Sequence, residues 1–155
     1  PPCDLIVLGG SKAVQADLGR VGVKVEIVER DASTARAAAR KGEADLFLSD
    51  WWADYPDGEN FTFPLFHSSN AGTGGNYAFL KRPALDSMLV AARGTPDSTA
   101  KAGLLRTIDA AVFDEAPWIF CWFPTDLWAR QPSIVGWSYP VVFTGQRWAT
   151  VREDR

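Results

Sequence analysis

The chain reads as an α/β domain with a doubly wound, mostly parallel sheet and helices on both faces, and three observations carry that expectation. Strand-like and helix-like segments alternate through the first 50 residues with short connections, the arrangement that right-handed crossovers produce. Leu46, Phe47 and Leu48 form a continuous apolar run, the pattern of a strand covered on both sides. A hydrophobic content of 46% in 155 residues supplies enough apolar surface for one sizeable core.

Each element has its own signal. Residues 5–8 are a short apolar run closed by Gly9-Gly10, and Ser11 can cap a helix carrying Val14, Leu18 and Val21 on one face before Gly22 stops it. Residues 23–28 alternate apolar and charged, which places Val23, Val25 and Ile27 on the inner side of a half-buried strand. Ser33 reads as the N-cap of a second helix, and Gly42 suits the left-handed position just past its end. The strand over residues 44–49 follows, with Leu46 to Ser49 expected at the centre of the sheet and Phe47 shielded from solvent. Residues 59–75, aromatic first and then small and polar, read as a mobile surface loop. Pro83 fits the first position of a helix with Leu85, Met88, Leu89 and Ala92 inward, and Thr95-Pro96 opens a longer one with Leu105, Ile108 and Val112 inward. Residues 118–123 are β-rich and read as another central strand, continued over 125–129 after Pro124. The last stretch mixes Pro132, Gly136, Pro140 and Gly145 with Trp137, Tyr139, Phe143 and Trp148, a composition suited to packing on something else.

Composition excludes several classes of partner. A net charge of -3 leaves no basic field to neutralise phosphates, so nucleic acid is not expected. No apolar run approaches the roughly 20 residues of a spanning helix, and no signal peptide opens the chain. Its start, Pro1-Pro2-Cys3 without an initiator methionine, reads as that of a processed product or a cut fragment. Two cysteines make no disulfide framework, and Cys121 between Phe120 and Trp122 reads as a small buried hydrophobe.

The chemistry is concentrated where the apolar run of residues 44–49 ends. Asp50 closes it, and Trp51, Trp52, Asp54, Tyr55 and Asp57 follow, with Pro56 and Gly58 supplying turn chemistry. In open α/β sheets ligands sit outside the carboxyl ends of the strands, so this loop of rings and carboxylates is expected to face a ligand. Trp51 and Trp52 point in different directions on an extended chain, and one of them belongs to the core. Catalysis would have to use His67 with Ser68 or Ser69, but sequence neighbours rarely form a triad and no G-x-S-x-G elbow is present. Asp50, Asp54 and Asp57 share one loop, whereas a glycosidase needs opposed carboxylates from different elements. Turn capping is the competing role for Asp54. One histidine and two unspaced cysteines make no transition-metal site, and the Asp54–Glu59 segment lacks the alternating ligands of a calcium loop. No cofactor, metal or catalytic residue is expected.

Four ordered stretches then resemble a known family: AVQADLGRVGVKVEIVE from Ala13, GEADLFLSDWWADYPDGENFTFPLFHSSN from Gly42, NYAFLKRPALDSMLVAAR from Asn76 and DEAPWIFCWFPTDLWA from Asp114. Together they resemble the extracytoplasmic solute-binding proteins of peptide and nickel ABC transporters (family 5, the oligopeptide and dipeptide type). The resemblance implies one lobe of a two-lobe periplasmic-binding-protein-like fold, with residues 1–130 forming the ligand-binding lobe and 131–155 a crossover tail returning to a first lobe that this chain lacks. It implies a periplasmic or cell-surface protein, compatible with a lipid anchor, that captures a peptide or other small solute and delivers it to a permease. Asp54 matches the aspartate that holds a peptide's α-ammonium, and Trp51 matches an aromatic wall of the side-chain pocket; Trp52 and Tyr55 complete the expected ligand-binding set. Trp52 stands where the family usually has a smaller residue and Gly58 replaces a common proline, which implies a different pocket volume and loop rigidity. A small hydrolase using His67 or the Asp54 loop, and a free-standing interaction domain, remain alternatives at this stage. A lobe without its partner is also expected to self-associate through exposed rings.

Overall fold

The structure is a computed structural model that describes residues 3–7, 11–123, 125, 127, 129–138, 142 and 148–154, with the backbone alone for residues 3–7 and 11. Three parallel strands, β1 (Cys3–Val7), β2 (Val25–Glu29) and β3 (Leu46–Phe47), lie in the order β2-β1-β3 and are joined by helices α1 (Ser11–Arg20) and α2 (Ala32–Lys41). Cys3 to Val7 pair in register with Val25 to Glu29, and Leu5 and Ile6 pair with Leu46 and Phe47 on the other side. The first crossover steps one way from β1 and the second steps back past it. With right-handed connections, the two helices therefore fall on opposite faces of the sheet.

Local chemistry places the helix ends one or two residues from where the sequence put them. Asp31, not Ser33, caps α2: its carboxylate accepts from the Ser33 and Thr34 amides at 3.0 and 3.1 Å. A carboxylate reaches the exposed amides of the first turn, and Ser33 sits inside that turn with its hydroxyl on the same Asp31 oxygen. Gly42 ends α2 at φ 70°, as expected. α1 begins at Ser11 itself, and Val21 lies beyond its end, exposed. Leu8, Gly9 and Gly10 lie outside the described residues.

The strand expected at the centre is an edge strand among the described residues, because β1 takes both neighbours. Phe47 is half-buried rather than sealed, covered by the edge of the Tyr77 ring at 5.6 Å and by the Ala35 and Ala38 face of α2. A continuous apolar run signals cover on two sides, but a neighbouring loop can provide one of them. Among the described residues, Ala35 and Ala38 are the buried part of this cluster.

A second core, among the described residues, is built from helices. Helix α3 (Phe63–Phe66), with α4 (Pro83–Gly94) and α5 (Ser98–Glu115), brings Leu65, Phe66, Leu80, Leu85, Leu89, Ala92, Ile108 and Val112 together, and Trp51, Phe63, Leu105 and Trp118 pack against them. Burying each Leu or Ile there is worth about 1.5–3 kcal/mol. Pro83 occupies the first turn of α4 as expected, and Asp97 caps α5 through the Ala100 amide at 2.7 Å.

Two expectations are corrected around this core. Residues 59–75 are not a mobile loop: two short 3-10 turns (Gly58–Phe61 and Ser68–Asn70) flank α3, and polar side chains satisfy the backbone. Asn76, fully buried, accepts from the Leu80 amide at 3.0 Å and donates to the Leu80 carbonyl at 2.9 Å, while Ser68 gives its amide and hydroxyl to Asp86 at 2.9 and 2.6 Å. Gly72, at φ 76°, lets this segment meet the end of α2, where a Cβ would stand 2.5 Å from the Arg40 carbonyl. Residues 118–123 are not a strand; Ile119, Phe120, Trp122 and Phe123 are exposed, and so is Cys121. Ala116, at φ 48°, turns the chain out of α5, and among the described residues no strand pairs with this run, so its β-propensity is not used. Pro124, Asp126 and Trp128, within the expected continuation of that strand, lie outside the described residues. Of the tail, β4 (Ile134–Val135) and β5 (Arg152–Glu153) form a separate antiparallel pair, and Tyr139 and Phe143 lie outside the described residues.

Candidate functional site

The order β2-β1-β3 reverses direction between β1 and β3, and the crevice beyond the carboxyl ends of those strands is where such sheets take ligands. Along the chain leaving β3, burial alternates over residues 51–54. Trp51 turns inward, half-buried against the helical core; Trp52 turns outward, 37% exposed; Ala53 is buried; Asp54 is exposed. That alternation resolves which tryptophan belongs to the core. The Trp51 indole donates to Asn60 Oδ1 at 3.2 Å, and the Asp54 amide donates to the same oxygen at 2.9 Å.

Pro56 and the bond from the Asp57 amide to the Tyr55 carbonyl at 2.9 Å then turn the chain back. Asp57 closes the loop. Its carboxylate caps the 3-10 turn by accepting from the Glu59 amide at 3.0 Å and takes the Lys101 ammonium of α5 at 2.6 Å. The amide bond first, and the Lys101 charge second, hold the Asp57 carboxyl below the usual carboxylate range.

Beneath Tyr55 lies a buried carboxylate. Glu59, 5% exposed, accepts the Tyr55 hydroxyl at Oε1, while Oε2 is buried with no partner among the described residues. Arg93 Nε stands 3.9 Å from Oε1, with the guanidinium 4.4 Å from the centre of the Phe63 ring. Burial, and then the Glu59 carboxylate, push the Tyr55 hydroxyl above its ordinary pKa, so it stays a donor throughout the physiological range.

Trp51, Trp52, Asp54 and Tyr55 therefore occupy one loop, and Asp50 is exposed at its start. His67 stands apart, stacked on Phe63 at 4.4 Å, with Nδ1 accepting from the Ser69 amide at 3.1 Å. Ser69 Oγ is 2.8 Å from that nitrogen, but the neighbouring carboxylate, Asp86 of α4, is bonded to Ser68. Hydroxyl, imidazole and carboxylate are not in one relay, so the arrangement is a helix cap and not a nucleophile with its base. Among the described residues, no three His, Cys, Asp or Glu side chains cluster as a metal would need, and no helix is long and apolar enough to cross a membrane. Asn60, Glu59, Arg93 and Lys101 were invisible to sequence reasoning, because each acts through a contact that only folding creates. The one available hint was a turn-opening Asp57 two residues before Glu59.

Comparison with known proteins agrees with this architecture. The model of the family described as bacterial extracellular solute-binding proteins, family 5 (middle) matches residues 11–73. A probable di/tripeptide-binding protein 5 of Pseudomonas aeruginosa is 26% identical over 129 residues, 83% of this chain and 24% of that protein. The heme-binding protein A of Haemophilus influenzae is 31% identical over 70% of this chain and 20% of its own length. A solved structure of the ABC transporter-associated periplasmic binding protein DppA from Helicobacter pylori, in complex with the peptide STSA, superposes with a TM-score of 0.87 at 21% identity, covering 99% of this chain and 31% of that one. This chain thus spans between a fifth and a quarter of the length of the two relatives. Residues 11–73 thus match the bacterial extracellular solute-binding proteins of family 5, and the chain shares the fold of the Helicobacter pylori protein.

Proposed function

We propose that this chain forms most of the second lobe of a two-lobe solute-binding protein, which captures a peptide-like solute outside the cytoplasm and delivers it to an ABC permease. Residues 1–130 carry the ligand-binding lobe and 131–155 return toward the first lobe. The observation that carries the reading is the exposed Asp54, flanked in the chain by the exposed Trp52 and Tyr55, on a loop tied down from beneath at the carboxyl edge of the sheet. Such a carboxylate accepts charge-assisted hydrogen bonds from a peptide ammonium, and the rings cover apolar parts of the solute. Trp51 forms the base of the pocket wall. Closure of the first lobe over the loop would exclude water and strengthen the ion pair.

The work of the protein on this reading is binding alone. The relatives' names cover di- and tripeptides and heme, so the loop chemistry, not the fold, supports the choice of a solute with a cationic amino group. Native mass spectrometry of the full-length protein as purified tests it. A co-purified peptide mass is the expected result, and a retained porphyrin or metal chelate with no peptide would overturn it.

A further inference from the structure

We infer that Asn60 is a positioning residue for the solute: its buried side-chain oxygen, bound by both the Trp51 indole and the Asp54 amide, sets where the Asp54 carboxylate and the adjoining rings stand. This rests on the proposed role of the loop in peptide binding.

Asn60 is 1% exposed and sits in the 3-10 turn Gly58–Phe61. An amide oxygen has two lone pairs, and here both are used, at 3.2 Å by Trp51 and at 2.9 Å by Asp54. Asn76, also fully buried, offers a contrast in its partners: its bonds go only to main-chain groups, at His67 and Leu80. Asn60 instead reaches back six and nine residues to the segment that faces the crevice.

The consequences are geometric. The Asp54 amide nitrogen is bonded to the Cα from which its side chain leaves, so holding the N–H fixes where that side chain starts. Holding the indole N–H limits the rotation of Trp51, whose ring packs on the helical core. Asn60 also serves as a hydrogen-bond partner near the Tyr55 hydroxyl, where it opposes the upward shift caused by burial and Glu59. One buried amide oxygen thus holds two of the four residues proposed to meet the solute. Leucine at this position would fill the volume but leave both N–H groups without their acceptor, and the loop would move to find water.

The test uses the full-length protein and a defined pool of unmodified di- and tripeptides, with retained peptides read by mass spectrometry and the tightest-bound one titrated. Asn60→Leu should weaken that peptide about tenfold or more, and Asn60→Asp, which keeps the acceptor, should stay within about threefold of wild type. In an Asp54→Asn background, Asn60→Leu should cost less than about twofold further, because its effect passes through Asp54. A purely structural role would lower the melting temperature and leave these affinities unchanged. Unchanged affinity in Asn60→Leu, or a full additional loss in the Asp54→Asn background, overturns the proposal. Amide exchange supplies a measurement that needs neither variant nor peptide: the Asp54 N–H of the wild type should exchange more slowly than that of exposed Asp50. Equal exchange at the two positions overturns the proposal, including in the case where Asn60→Leu fails to fold. If no peptide in the pool binds wild type, the peptide reading fails, and the exchange comparison alone then decides whether Asn60 sets the loop.

Discussion

Replacing Asp57 first by Asn and then by Ala separates the two jobs its carboxylate performs at the far end of the ligand-facing loop. Asn keeps an oxygen for the Glu59 amide at 3.0 Å but removes the charge that meets Lys101 Nζ at 2.6 Å; Ala removes both. The Lys101 and Asp57 side chains are 18% and 31% exposed, so the pair is worth about 1 kcal/mol, the upper end for a partly solvated ion pair. The cap adds about 1 kcal/mol. Asp57→Asn should therefore cost about 1 kcal/mol and Asp57→Ala about 2 kcal/mol. Urea unfolding of the isolated chain reads this as a shift in midpoint with an unchanged slope. The pH dependence gives an independent sign. The folded Asp57 pKa lies below the unfolded value of about 3.9, so its stabilisation is complete above that value and is lost as pH falls through the folded pKa. Both variants should lack this part of the acid limb and differ from wild type least at the lowest pH. If the two substitutions cost the same, or if the deficit of Asp57→Asn persists undiminished in acid, the division into cap and ion pair is wrong.

Asp54→Asn should weaken binding of an unmodified dipeptide to the full-length protein by about 2–5 kcal/mol while leaving the melting temperature unchanged, with Asp50→Asn as an indifferent control; calorimetry on all three proteins decides it. A matching loss of melting temperature would return Asp54 to a turn-capping role. Leu89→Ala, at a side chain 1% exposed between α4 and α5, should destabilise the chain by about 2–5 kcal/mol in urea, the range for a large-to-small change in a packed core. The isolated chain should self-associate in sedimentation at high concentration through Ile119, Phe120, Trp122, Phe123, Leu127 and Trp148, which together form an exposed apolar set. Trp51 should take no part, since it is turned into the core, and a strictly monomeric chain would contradict the expectation.

What the sequence determined by itself is whatever depends on local periodicity and on residues with one conformational use. The alternation of strands and helices through residue 47, Gly42 past the end of α2, Pro83 at the start of α4 and the inward stripes of α4 and α5 follow from steric and capping rules that act within a few residues. The crowding of Trp51, Trp52, Asp54 and Tyr55 beyond a strand end was equally legible, and so was the family that this order of motifs resembles. Tertiary structure decided the rest, because the deciding contacts join residues far apart in the chain or leave no periodic trace. Which of Leu46–Phe47 and Cys3–Val7 stands at the centre depends on strand order, which hydrophobicity does not encode. The polar segment after Phe66 could be read as solvated until Asn76 and Asp86 were seen to satisfy its backbone. The β-rich run after Pro117 found no neighbouring strand among the described residues, and propensity without a pairing partner does not make one. Asn60 and Lys101 entered the site for the same reason: a single amide and a single ammonium, unremarked in a turn and on a helix, became parts of the loop only when packing brought them to Asp54 and Asp57.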